Sequence, residues 1–180
     1  MPPTAPSTFR YLRRRLAGPA AADGDLVRRF ADRRDEAAFA ELVDRHGPMV
    51  LGVARRAAGD YQAAEDVAQA TFLALARRAG RLRSPDAVPG WLHRTAYFLG
   101  LKAARARARR ERAERNAPVR PPSGPPDLAA RELLAALDAE LARLPDRFRL
   151  PLVLCCLEGL SQDEAARRLG WTADSVRGRL

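Results

Sequence analysis

Aromatic residues are scarce in this 180-residue chain, at 6%, and there are only two cysteines and two histidines. Each scarcity excludes something. With so few aromatics, much of the 47% hydrophobic fraction is Ala. Cys155 and Cys156 are adjacent. Neighbours point apart on a helix, so the pair fits neither a disulfide framework nor a metal-ligand spacing and reads as core filling. His46 and His93 stand far apart, with no HExxH, P-loop or nucleophile motif around them, so the sequence supports no enzyme, metal site or cofactor. The longest apolar run, LPLVLCCL, is too short to span a bilayer. The start, MPPTAPSTFRYLRRRLAGP, lacks the apolar stretch of a signal peptide. These absences point to a soluble protein of a reducing cytoplasm, without membrane insertion. No alternating run of β-branched residues is present, so no sheet is expected.

What the chain does have is Ala, Leu and Arg, which lose little side-chain freedom in a helix. It also has a basic surplus: 32 Lys and Arg against 22 Asp and Glu, a net charge of +10 and a pI near 11.1. That balance suits an anionic partner, nucleic acid first and an anionic membrane second. Residues 91–115 alone hold eight Arg or Lys against two Glu. A solvated basic face with no partner is the plain alternative. Membrane insertion is disfavoured, because few large apolar residues follow Leu101 in this stretch.

The stretch NAPVRPPSGPP, residues 116–126, has five prolines in eleven positions. It cannot continue a helix and reads as a linker between two helical modules. Residues 1–22 read as a basic arm, mostly disordered, with one short helix around TFRYLRRRL. The expected architecture is all-α: a first module over 23–115 and a second over 127–180, the latter ending in a helix-turn-helix. In the first module, Leu26, Val27 and Phe30 share one helical face, as do Phe39, Leu42 and Val43. Gly47 and Pro48 read as a break, with Pro48 opening the next helix. Asp60 reads as the cap of a helix from about Gln62 to Arg78. RLRSPDAVPG, residues 81–90, reads as a loop, followed by a long helix from about Trp91. In the second module, Asp127 is a plausible cap. Leu134, Leu137, Leu141 and Leu144 form one apolar stripe, and Pro151 must delay or kink the following helix. Gly159 suits a helix stop.

Ser161 and Glu164 form a capping-box pattern. Gly170 supplies the turn, Ala166 lets two helices approach, and Thr172 can cap the second of them. Ala165, Leu169, Trp171 and Val176 can fill the space between. In such a unit the second helix enters the major groove, where Ser175, Arg177 and Arg179 are the polar candidates. Ordinary core packing is the alternative for any single helix pair, but here cap, small residue, glycine and apolar spacing agree.

Three stretches in order carry a family resemblance. DYQAAEDVAQATFLALAR resembles the polymerase-binding helix of the extracytoplasmic-function (group IV) sigma factors. VPGWLHRTAYFLGLKAARARARR resembles their −10 promoter segment. LDAELARLPDRFRLPLVLCCLEGLSQDEAARRLGWTADSVRGRL resembles their −35-reading domain. AAFAELVDRHGPMVLGVARR and the basic arm resemble forms abundant in planctomycetes. The resemblance implies bacterial RNA polymerase core and promoter DNA as partners, with an anti-sigma factor as a third candidate. It places core binding on Glu65, Asp66, Gln69 and Phe72. It places −10 contacts on His93, Arg94, Tyr97, Lys102 and Arg105, where basic and aromatic groups suit an unstacked strand. The loop 81–90 matches the one that receives a flipped base, and Trp91 matches a core position. The −35 contacts fall on Thr172, Ser175, Arg177 and Arg179.

Departures from the family are visible. Phe98 and Lys102 stand where Asn and Asp are common on the −10 helix, and Gly178 stands where the reading helix often has Ser. The reading helix is expected to be cut short at Leu180, leaving a frayed end and weaker −35 binding. A stand-alone helix-turn-helix regulator is the rival reading, and it would bind a specific duplex without polymerase. A helical nuclease is a weaker rival, because the carboxylates fall mainly in exposed-looking helix segments.

Overall fold

The computed structural model describes residues 21–82, 85–114 and 128–180. The arm up to residue 20, the linker 116–126, the Asp127 cap and residues 83 and 84 of the loop lie outside the described residues. Among those described, the chain is helical with no strand. Helices α1 (Asp23–Arg33), α2 (Glu36–Ala58), α3 (Tyr61–Arg78) and α4 (Val88–Glu114) build the first module. Helices α5 (Leu128–Arg143), α6 (Asp146–Leu152), α7 (Gln162–Leu169) and α8 (Ala173–Arg177) build the second.

Caps set several of these boundaries. The Asp35 and Asp60 carboxylates accept from the Ala38 and Ala63 N–H groups, at 3.0 and 2.8 Å, and so open α2 and α3. The expected break at Gly47-Pro48 is absent: α2 runs straight through Pro48. An interior proline costs about 3 kcal/mol. Leu42, Met49, Val50 and Val53, on both sides of it, are buried on one face. Each contributes about 1.5–3 kcal/mol, so packing outweighs the missing bond. Pro48 itself is exposed, which leaves water to serve the freed carbonyl.

The expected loop 81–90 is also shorter than its Pro and Gly content suggested. Turns of 3-10 helix occupy Ala79–Arg81 and Pro85–Ala87, and α4 already begins at Val88. Pro89 falls in the first turn, where a missing N–H costs nothing. Farther along, α4 crosses α2 closely. A Cβ on Gly100 would sit 2.5 Å from Ala57 Cβ, so only glycine permits this approach.

The second module bends at Pro151. Helix α6 passes through the proline and widens into a π-helical turn over Val153–Leu157, closed by Glu158 N–H donating to Val153 O at 3.0 Å. Gly159, at φ 68°, ends it. The leucine stripe of α5 is only partly used: Leu141 is buried, while Leu134 and Leu137 remain exposed.

The helix-turn-helix forms as its sequence signals. The Ser161 hydroxyl accepts from Glu164 N–H, and Glu164 accepts from Ser161 N–H at 2.9 Å. Gly170 takes φ 66°, and Trp171 N–H closes the turn on Ala166 O at 2.9 Å. Ala165, Ala166, Leu169 and Val176 share one buried cluster, with Trp171 packed against it.

Candidate nucleic-acid and polymerase interfaces

On α3, Val67, Thr71 and Leu75 face inward, while Glu65, Asp66 and Gln69 are exposed on the opposite side. Phe72 differs from these three. It is half-buried and packs against the first core, so its role here is to seat the helix. Leu73, one turn beyond Gln69, is half exposed and extends the acidic strip with an apolar group. A strip of carboxylates, an amide and an aliphatic side chain suits a cationic protein surface with an apolar centre.

On α4, the exposed residues Arg94, Phe98, Lys102, Arg105, Arg109 and Arg112 follow one another at spacings of three and four. That places them in one stripe, about 27 Å long at helical rise. Phe98, Leu101, Lys102, Arg105, Ala108, Arg109 and Arg112 line an open groove along it. The Arg94 guanidinium lies 5.7 Å from the Phe98 ring centroid, and Tyr97 meets Phe98 edge-on at 5.4 Å. Cations flanking an exposed ring are the two parts that a single-strand platform needs. Phe98, Arg109 and Arg112 join this stripe although the sequence reading gave them no contact: Phe98 reads there as a departure from the family and the two arginines as basic surplus.

Two Sigma-70 families match the chain in order: region 2 over residues 42–110 and region 4 over residues 134–180. The chain is 36% identical over 145 residues to "ECF RNA polymerase sigma factor SigE" of Mycolicibacterium smegmatis, covering 78% of this chain and 56% of that one. It thus spans little more than half of that relative's length. Against "ECF RNA polymerase sigma factor SigM" of Mycobacterium tuberculosis, identity is 32% over 146 residues, with 81% and 72% covered. Against "RNA polymerase sigma-H factor" of Pseudomonas aeruginosa it is 31% over 170 residues, with 88% of each chain covered. The chain belongs to the extracytoplasmic-function sigma factors. A solved structure, "Structure of CnrH in complex with the cytosolic domain of CnrY", is 30% identical and covers 89% of this chain and 90% of that one, at a TM-score of 0.43. Among the described residues no helix is long and apolar enough to cross a membrane, and no cluster of His, Cys, Asp or Glu could hold a metal ion.

Within this sigma factor, the remaining candidate residues fall in three settings. Arg94, Lys102 and Arg105 lie on the exposed stripe of α4, and Tyr97 is half-buried beside it. His93 does not join them. It is fully buried, with Nε2 3.1 Å from Asp138 on α5. Asp138 also accepts from Arg56 Nε at 2.5 Å. Burial opposes charge on Asp138, but hydrogen bonds from His93 and Arg56 outweigh it and lower its pKa. Trp91 packs against the first core, as its position implies.

On the second module, the Thr172 hydroxyl is committed to the cap, accepting from Ser175 N–H at 3.1 Å and donating to Ser175 Oγ. Arg179 donates to Ser175 O and lies 5.1 Å from the Trp171 ring centroid. Arg177 is exposed and, among the described residues, pairs with Asp174 on its own helix. Such an exposed pair is worth little, so Arg177 is the residue of this group most easily turned to a phosphate.

The other histidine sits in a second ion cluster. His46 Nε2 lies 3.0 Å from Asp23 and Nδ1 lies 2.6 Å from Glu158. Both nitrogens face carboxylates, which only accept, so the doubly protonated ring fits. Arg45 donates to Asp23 and Arg168 to Glu158. Burial disfavours the imidazolium, yet Glu158 and Asp23 outweigh burial and raise its pKa from 6.5 to about 9. A raised folded-state pKa contributes stability that is complete below the unfolded value and is lost as pH rises through the folded one. Thermal melts should therefore show stability falling from about pH 6.5 to about pH 9 and levelling off above. The expected loss is about 3 kcal/mol, at about 1.4 kcal/mol per unit. His46→Gln should remove that slope.

Proposed function

We propose that this sigma factor recruits bacterial RNA polymerase core to promoters and recognises them with both modules. Residues 23–115 form the core-binding and −10 module, and residues 127–180 the −35 module. The carrying observation is the pairing of region 2 and region 4 matches, in order, on two helical modules. The first of these presents an acidic face on α3 and a cationic, aromatic stripe on α4, on separate helices. Glu65, Asp66 and Gln69 dock on core. Arg94, Phe98, Lys102 and Arg105 hold the opened −10 strand, with Tyr97 supporting Phe98 from beside it. Helices α7 and α8 carry the −35 contact, with Arg177 on phosphate. The chain has no catalytic role of its own: the polymerase performs nucleotidyl transfer, in the cytoplasm. An anti-sigma factor fits the same exposed faces as a competing partner.

The test is promoter opening by the core-bound protein, followed by permanganate reactivity of unpaired thymines. Base stacking on an aromatic ring is worth enough for Phe98→Ala to reduce opening about tenfold. Core affinity and melting temperature should stay unchanged, because Phe98 is exposed. Full opening by Phe98→Ala would remove the ring from the −10 contact.

A further inference from the structure

The sequence reads Cys155 and Cys156 as core filling, and the fold bears this out only for the first. Cys155 is half-buried and packs against the second module's cluster, while Cys156 is exposed. Both are free thiols, side by side in the π-helical turn Val153–Leu157. Two hydrogen bonds close over the pair, from Glu158 N–H to Val153 O and from Leu160 N–H to Leu154 O, each at 3.0 Å. Burial pushes the Cys155 thiol up, and the neighbouring Cys156 adds to the rise, so the two sulfurs are within electrostatic reach of each other.

Spacing and surroundings limit what such a pair can take. Cβ atoms of adjacent residues on a helical turn stand about 5 Å apart. A disulfide needs about 3.5–4.5 Å, so direct closure of an S–S bond would pull the turn apart. A zinc-like ion takes three or four protein ligands. Among the described residues, no group of three or more His, Cys, Asp or Glu stands together to supply them. The acceptor that fits is soft, takes two thiols without a third, and places one atom between the sulfurs. Trivalent arsenic has these properties. Exposed Cys156 gives it a way in, and Cys155 lies next to it as the second sulfur.

We propose that Cys155 and Cys156 form a two-thiol binding site for trivalent arsenicals, set in the turn that leads to the helix-turn-helix. Two As–S bonds replace two As–O bonds of the hydrated arsenical. Each thiol hydrogen leaves with an oxygen as water, and arsenic stays trivalent, so no oxidant or reductant is consumed. Drawing both sulfurs onto one atom tightens the chain at Cys155 and Cys156 and loosens the two hydrogen bonds that close over them. Leu160, at the end of one of these bonds, is buried in the same cluster as Ala165, Leu169 and Val176, so the ligand's effect reaches the helix-turn-helix. The site is independent of the promoter reading above.

Titration of the full chain with phenylarsine oxide, under a phosphine reductant and read by mass spectrometry, tests this. Cys155 and Cys156 are the only thiols in the chain, so the count is direct. One arsenic should bind per chain with loss of both free thiols. The adduct should survive a monothiol such as glutathione and be released by a small dithiol. Cys155→Ser and Cys156→Ser should each weaken binding at least a hundredfold, because the second bond is then no longer intramolecular. Position 156 is exposed, so Cys156→Ser keeps the test valid even if Cys155→Ser disturbs packing. In the adduct, the Glu158 and Leu160 amides should exchange with solvent at least tenfold faster than in the free chain. Undiminished binding by either single variant overturns the site, as does one arsenic shared between two chains. Unchanged exchange at Glu158 and Leu160 overturns the coupling to the turn.

Discussion

His46→Ala should lower the melting temperature by about 6–20 °C. The substitution removes the cation between Asp23 and Glu158, carboxylates exposed by 0% and 6%. Removing one member of a buried pair costs about 3–5 kcal/mol, because an uncompensated charge stays behind. For a chain of this size each kcal/mol is worth about 2–4 °C. Arg45 and Arg168 still reach the two carboxylates, which favours the lower half of the range. Asp23→Asn in the same background removes one of the stranded charges. The double variant should therefore be less damaged than the sum of the single ones, as expected for residues sharing one network. A fall of under about 3 °C, with additive effects, would mean that the cluster is already solvated.

Asp66→Arg should weaken binding to polymerase core about a hundredfold while leaving the fold intact. Asp66 is exposed at the centre of the α3 strip, beside Glu65 and one turn before Gln69. Reversal removes an attraction and adds a repulsion against a cationic partner, and charge pairs that become desolvated in an interface are worth tens to thousands of fold. Asp66 is exposed, and among the described residues no side-chain hydrogen bond or ion pair holds it, so melting should stay within about 2 °C. Fluorescence titration of labelled protein with core gives the affinity directly. An unchanged affinity would move the core contact off this strip.

Local signals were legible in the sequence wherever a residue acts on its own neighbours. Asp60, the Ser161 and Glu164 pair, Gly170 and Thr172 each act within four positions, and each sits as the sequence implies. Misreadings arose where distant packing overrides local preference. Pro48 reads as a helix start, yet the buried residues on both sides keep α2 continuous. Pro89 and Gly90 read as loop, yet they fit the first turn of α4. The π-helical turn after Pro151 has no sequence signature of its own. Of the candidate site residues, Glu65, Asp66 and Gln69 on α3 and most of those on α4 could be placed on exposed faces from helical spacing alone, whereas Phe72 falls on the apolar side of α3. His93 could not, because its partner Asp138 is 45 residues away. The same holds for His46, whose partner Glu158 is 112 residues away. Phe98 looked like an exception to a family pattern, and only its exposure beside Arg94 shows what an aromatic ring could do there.

Core-dependent run-off transcription measures the central claim most directly. Purified chain, bacterial core polymerase and a library of promoter fragments are combined, and initiated transcripts are sequenced. The account predicts transcripts from a defined promoter set that require the added chain and are lost with Asp66→Arg. No initiation and no core binding, with a specific duplex held by the free chain, would contradict it and favour a regulator that acts without polymerase.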